Sequence, residues 1–126
     1  MSRPVSHLAL TPTDQGIFIV ADDRDPAIGG NMSHNYTIEC TDANGDIVRL
    51  GEVHFQRGAV LEHGLNGVTN EHLIAVCIDR LEGAQEGPFA SADNEAAIVA
   101  LKAASEALAK RTRDRMARGV EGQSKA

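Results

Sequence analysis

From Ser91 to Gly119 the chain runs through residues 92–118 without a Gly or a Pro, and this stretch limits the fold more than any other. Ser91 offers a hydroxyl that can cap a helix N-terminus. Asp93 and Glu95 fall in the first turn, where the helix dipole favours carboxylates, and Gly119 stands where a left-handed residue ends a helix. One long helix is therefore expected. At 100° per residue, Asn94, Ala97, Ile98, Leu101, Ala104, Ser105, Leu108, Thr112, Arg115 and Met116 share a face, with Arg111 at its edge. That face is apolar in the middle and polar at both ends. Its Ala and Ser positions let a partner helix approach closely. Asn94 and Arg115 lie 21 residues apart, roughly 31 Å along a helix axis, so one chain cannot bring them together. Two antiparallel copies can, and the expectation is a seam between subunits that joins Asn94 of one to Arg111 and Arg115 of another.

The remaining chain reads as β structure followed by a shorter helix. In the first 31 residues, Gly16-Ile17-Phe18-Ile19-Val20 reads as a short strand, which Asp22, Asp23, Asp25, Pro26, Gly29 and Gly30 break. This segment reads as either an added or a loosely attached one. From Tyr36 the residues alternate, and Asn44-Gly45 supplies the positive φ of a type I′ turn or a related loop before Ile47-Val48-Arg49-Leu50. Glu52 to Gln56 continues as a further strand or an extension of that one, and Val60-Leu61 as a short strand in a connector. Thr69 or Asn70 caps a helix ending between Leu81 and Ala84, with an apolar stripe of Leu73, Ile74, Cys77, Ile78 and Leu81. Cys77 is expected to face inward. Gly87-Pro88 then forces a turn. The class is α+β: a small N-terminal antiparallel sheet in residues 1–62, with 1–31 as the doubtful extension, then an antiparallel helical hairpin in residues 63–126 for ligand binding and oligomerisation.

The formal net charge is −6 over 126 residues, but it is unevenly placed. Residues 1–101 hold 5 Lys/Arg against 15 Asp/Glu, giving −10; residues 102–126 hold 7 against 3, giving +4. A basic helix end on an acidic chain suits a compact anion better than DNA or RNA, which need a wide basic surface. Aromatic residues make up only 3% of the chain, so aliphatics must form the core and association adds useful burial. The apolar run Ile17–Ala21 is too short to cross a bilayer, so no membrane partner is expected. Cys40 and Cys77 show no paired spacing behind a secretory signal, and a reducing cytoplasm is the expectation.

Arg111, Arg115 and Arg118 recur at i, i+4 and i+7 while Arg113 points away. On spacing alone, a solvated basic end that complements the dipole is the simpler reading. Arg115 argues otherwise, because it lies on the apolar face and needs an anion or a carboxylate beside it. Asn94 serves equally as a first-turn residue or as a ligand-reading amide. The histidines at 7, 34, 54, 63 and 72 fit no metal spacing, and neither a metal nor a cofactor is expected. Glu71 and His72 suit helix capping. Asp42, Asn44 and Asp46 lack the closing Glu of a calcium loop. No phosphate-binding Gly loop and no nucleophile elbow is present, so a non-enzyme is expected.

Phe55-Gln56, Asn66-Gly67-Val68-Thr69-Asn70-Glu71, Ile78-Asp79-Arg80-Leu81-Glu82-Gly83, Gly87-Pro88-Phe89, Asn94, Arg111-Thr112-Arg113-Asp114-Arg115 and Arg118-Gly119-Val120-Glu121-Gly122 together carry a resemblance. Across residues 53–123 the chain resembles the first Thoeris anti-defence family, phage proteins whose helical hairpin is shared with the anti-CBASS sponges. Residues 1–50 match only in being β-rich. The resemblance implies a sponge made in the cytoplasm of an infected bacterium. Such a protein sequesters a cyclic nucleotide signal, here a glyco-cyclic ADP-ribose, without cleaving it. It implies a homo-oligomer, dimer or hexamer, with pockets between subunits, and it places Asn94, Arg111 and Arg115 at ligand-contacting positions. Where relatives tend to have a stacking aromatic, Ala84 stands here, which weakens or redirects binding unless Phe89 supplies the ring. Cyclic di- or trinucleotides of CBASS on the same scaffold, and a protein-interaction module without a ligand, are the competing expectations.

Overall fold

The computed structural model describes residues 2–7, 16–28 and 30–124, and the chain divides into two compact units, residues 1–67 and 68–126. The first is a four-stranded antiparallel sheet in sequence order: β1 (Arg3–Pro4), β2 (Ile17–Ala21), β3 (Asn35–Thr41) and β4 (Ile47–His54). Strand periodicity explains its apolar face. Ile17, Ile19 and Ala21 stand opposite Cys40, Ile38 and Tyr36, and Tyr36 in turn stands opposite Val53. Between Ile38 and Glu39 the register shifts, so β4 carries one extra residue, Leu50, opposite β3. This bulge lets Val48 and Val53, an odd number of positions apart, both stand opposite apolar residues of β3.

β2 is paired with β3 along its whole length, and Ala21 is fully buried. Residues 17–21 are thus an integral strand rather than a loose extension; residues 8–15 lie outside the described residues. At the β3–β4 turn only Gly45 takes a positive φ, 81°. The Asp42 carboxylate accepts the backbone N–H groups of Asn44 and Asp46, both at 2.9 Å, and Gly45 N–H reaches the Asp42 carbonyl at 3.0 Å. Asn44 therefore keeps a negative φ, and the loop is a longer relative of the I′ hairpin.

After β4 the chain forms one helical turn, α1 (Val60–His63), where a short strand was expected. Two amides bind this connector to the sheet unit. Gln56 Nε2 donates to the Gly64 carbonyl at 2.7 Å, and its Oε1 accepts Asn66 N–H at 3.0 Å. Asn66 Oδ1 accepts Arg57 N–H at 2.7 Å, and its Nδ2 donates to the Arg57 carbonyl at 2.9 Å. These bonds carry the first unit to Gly67, past the boundary at residue 62 drawn from sequence. A Cβ at Gly67 would lie 2.4 Å from the Phe55 carbonyl carbon. Gly67→Ala is accordingly expected to lower stability by about 1–3 kcal/mol in a urea titration, because backbone rather than a flexible side chain must give way.

The second unit contains α2 (Asn70–Ala84) and α3 (Ala92–Ala117), which pack on one another. At the N-terminus of α2, His72 Nδ1 accepts Thr69 N–H at 3.0 Å, the capping role expected for it. Ser91 Oγ accepts Asn94 N–H at 3.0 Å at the start of α3. At its end Val120 N–H bonds the Arg115 carbonyl and Gly119 N–H the Met116 carbonyl, both at 3.0 Å, with Gly119 at φ 71°. That pair of bonds is a Schellman stop.

Asn94, Ala97, Leu101, Ser105, Leu108, Thr112 and Arg115 are half-buried and Ile98 is 4% exposed, whereas Ala104 and Met116 are exposed. The face assigned to a seam between subunits is thus used within the chain, where α2 packs. Cys77 is exposed rather than inward: the α2 stripe that is half-buried comprises Leu73, Ile74, Ile78 and Leu81. No helix among the described residues is long and apolar enough to cross a membrane.

Candidate functional site

The site residues singled out in the sequence fall at the two ends of α3. At the loop end, Gln85 closes the connection between the helices. Its Nε2 donates to the Ser91 carbonyl at 3.0 Å, and its Oε1 accepts Ser91 N–H at 2.9 Å and Asn94 Nδ2 at 3.2 Å. Asn94 Nδ2 also donates to the Phe89 carbonyl at 3.0 Å. Both amide hydrogens of Asn94 are thereby committed to the loop, while its Oδ1 makes no hydrogen bond among the described residues. A carbonyl oxygen held this way is a fixed acceptor. Phe89 is 80% exposed beside it, and Ala84, half-buried at the end of α2, contributes only a methyl group. Ala84, Phe89 and Asn94 thus gather at one end of the hairpin.

The other end is basic. Ala107, Lys110, Arg111, Asp114, Arg115 and Arg118 line a shallow groove along the last turns of α3. Lys110 pairs with Asp114 at 2.9 Å, and on another face Arg113 pairs with Glu106 at 2.6 Å. The hydrogen bond and charge of Lys110 hold the Asp114 carboxyl below its ordinary range against the opposing effect of burial, with lesser help from the charges of Arg113 and Arg118. Arg115 turns under the tail that the Schellman stop folds back. Its guanidinium donates to the Val120 and Gln123 carbonyls at 2.8 and 2.7 Å, and its Nε to Glu121 at 3.0 Å. Arg111 makes no hydrogen bond or ion pair among the described residues and is exposed. The groove therefore presents one unoccupied guanidinium beside a second that is held in place, an arrangement suited to two oxygens of a phosphate.

A second polar cluster lies in the sheet unit, where the sequence shows Asp22 and Asp25 only as strand breakers and His34 only as a histidine without metal spacing. Asp22 accepts His34 N–H at 3.1 Å and Asn35 Nδ2 at 2.7 Å. Ser33 Oγ donates to the Asp22 carbonyl at 2.8 Å and accepts from Arg3 at 3.2 Å. Asp25 lies 2.8 Å from Arg57 Nε and 3.4 Å from Nε2 of His34, which is 6% exposed. Burial opposes ionisation of Asp22, but the Asn35 side chain and the backbone N–H groups of Asn35 and His34 outweigh it and hold the carboxyl below its usual value. At Asp25 the Ala27 N–H and Arg57 have the same net effect. No group of three or more metal-ligating side chains occurs among the described residues.

The fold and these ends define an α+β protein made of a four-stranded sheet unit and a helical hairpin with a basic terminus. No family model matches the chain. It is 50% identical over 74 residues, 59% of its length, to Thoeris anti-defense 1 of Bacillus phage SBSphiJ7, and spans about half (52%) of that protein. Over the aligned segment the chain is thus similar to a Thoeris anti-defence protein, as the motifs imply.

Proposed function

We propose that this protein counters Thoeris defence by holding a cyclic ADP-ribose-type signal, glyco-cyclic ADP-ribose, intact in the cytoplasm of an infected bacterium. The reading rests on the likeness to Thoeris anti-defense 1, and the observation that carries it is the guanidinium of Arg111, exposed and unpaired among the described residues, beside Arg115. A pyrophosphate takes bidentate guanidiniums, while the free Oδ1 of Asn94 suits a base or sugar donor and the exposed Phe89 ring suits stacking. Asn94 and Arg111 are 17 residues apart on one helix, roughly 26 Å, so a complete pocket draws them from different copies.

Assembly as a homo-oligomer, dimer or hexamer, is part of the proposal. Ala21 and Ile98 are the only buried hydrophobic residues among those described, whereas Val76, Phe89, Val99 and Met116 are each more than half exposed. A core this thin gains stability by association. Neither a cofactor nor catalysis enters the proposal: the groove needs only to bind. Calorimetric titration with a panel of cyclic ADP-ribose isomers, beside the light-scattering mass, tests it. Saturable uptake by an oligomer is expected, and no heat from any isomer would reject it. Cyclic di- and trinucleotides bring the same phosphate chemistry to the same guanidiniums, and competition in that titration separates the two ligand classes. A melting temperature that no nucleotide raises would instead favour an interaction module whose arginines meet an acidic protein surface.

A further inference from the structure

The Arg115 guanidinium is already engaged by an anion that belongs to the chain. Glu121 lies six residues on, past the Schellman stop at Gly119 and just before Gly122, whose φ is 79°. This reversal brings the Glu121 carboxylate to 3.0 Å from Arg115 Nε, while the Val120 and Gln123 carbonyls accept from Nη2. Nε and Nη2 form the edge by which a guanidinium grips two phosphate oxygens. Of these three partners, the carboxylate is the one that carries a charge to compete with a ligand. The Arg115 side chain is 20% exposed and the Glu121 side chain 42%, so the carboxylate can swing into water while the guanidinium stays in place.

We infer that Glu121 is an internal occupant of the anion site, which an incoming phosphate must displace from Arg115. The inference rests on the reading of the groove as an anion site and adds a selectivity to it. A ligand with one weak negative charge gains little over Glu121. A pyrophosphate, with more charge and two oxygens in register, displaces the carboxylate and also engages Arg111. Glu121 thereby keeps the groove closed to ordinary carboxylates.

The test titrates the wild-type chain, Glu121→Gln and Glu106→Gln with glyco-cyclic ADP-ribose and, separately, with inorganic pyrophosphate. Gln at 121 still accepts from Nε through its amide oxygen, which keeps the tail folded while removing the charge. Glu106→Gln changes the net charge equally but faces Arg113, away from the groove. Glu121→Gln is expected to bind both probes about fivefold tighter, the equivalent of one weak ion pair, with Glu106→Gln unchanged. Equal affinities for wild type and Glu121→Gln, or an equal gain in Glu106→Gln, would overturn the latch while leaving the nucleotide reading intact. If neither protein takes the nucleotide but Glu121→Gln binds pyrophosphate more tightly, the latch stands and the nucleotide reading falls. Binding of neither probe to either protein removes both.

Discussion

Arg111→Ala is expected to weaken nucleotide binding by about 10- to 100-fold while leaving the melting temperature of the unliganded protein unchanged. A charge-assisted hydrogen bond is worth about 1.5–3 kcal/mol when its partner is removed, and each 1.4 kcal/mol is a factor of ten in affinity. The unchanged melting temperature follows from position: Arg111 is exposed and contributes no hydrogen bond or ion pair among the described residues. Arg115→Ala mixes two effects, since the same truncation also releases the Val120, Glu121 and Gln123 contacts. Calorimetry together with differential scanning fluorimetry on Arg111→Ala therefore isolates the ligand. Full affinity retained in Arg111→Ala would place the ligand elsewhere.

Asp22→Ala should be the most damaging single change in the sheet unit, at about 3 kcal/mol, because it strips a charged acceptor from the His34 N–H and the Asn35 amide. Asp22→Asn, which keeps one acceptor oxygen, should cost less. Acid should imitate the substitution. The Asp22 and Asp25 carboxyls are both held below the ordinary carboxylate value in the folded chain. Each therefore binds a proton more readily when unfolded, and its stabilising contribution is complete above that value and is lost as pH falls through the lowered one. Thermal melts of wild type should show the stability falling below about pH 4, and in Asp22→Ala that decline should be shallower. Parallel pH profiles for the two proteins would exclude Asp22 as the acid-sensitive group.

The parts legible in the sequence were those governed by local periodicity. Gly- and Pro-free spacing marks α3, Ser91 and Gly119 cap it as read, and the face drawn at 100° per residue is turned inward except at Ala104 and Met116. What covers that face was not legible, because an apolar stripe has the same pattern whether it meets α2 or a second copy. Cys77 failed for a related reason. On a two-helix unit only a narrow stripe is covered, and Cys77 lies just outside it. The bulge at Leu50 and the cluster around Asp22 depend on pairing across strands, which no single stretch of sequence displays. Gln56, read as the end of a strand, and Asn66, noticed as part of a resemblance, prove to be the amides that fasten the connector. At the candidate site, the separation of Asn94 from the arginines followed from helix rise alone. The commitments of Asn94 Nδ2 to Gln85 and of Arg115 to Glu121 did not, because both depend on how the chain reverses at the helix ends.

The most direct measurement is to saturate the purified protein with glyco-cyclic ADP-ribose, remove free ligand by gel filtration, denature with heat and identify the released nucleotide by liquid chromatography and mass spectrometry. Near-stoichiometric release of the unaltered cyclic molecule is the predicted result. Recovery of an opened or hydrolysed product, or of no nucleotide in the protein fraction, would contradict it.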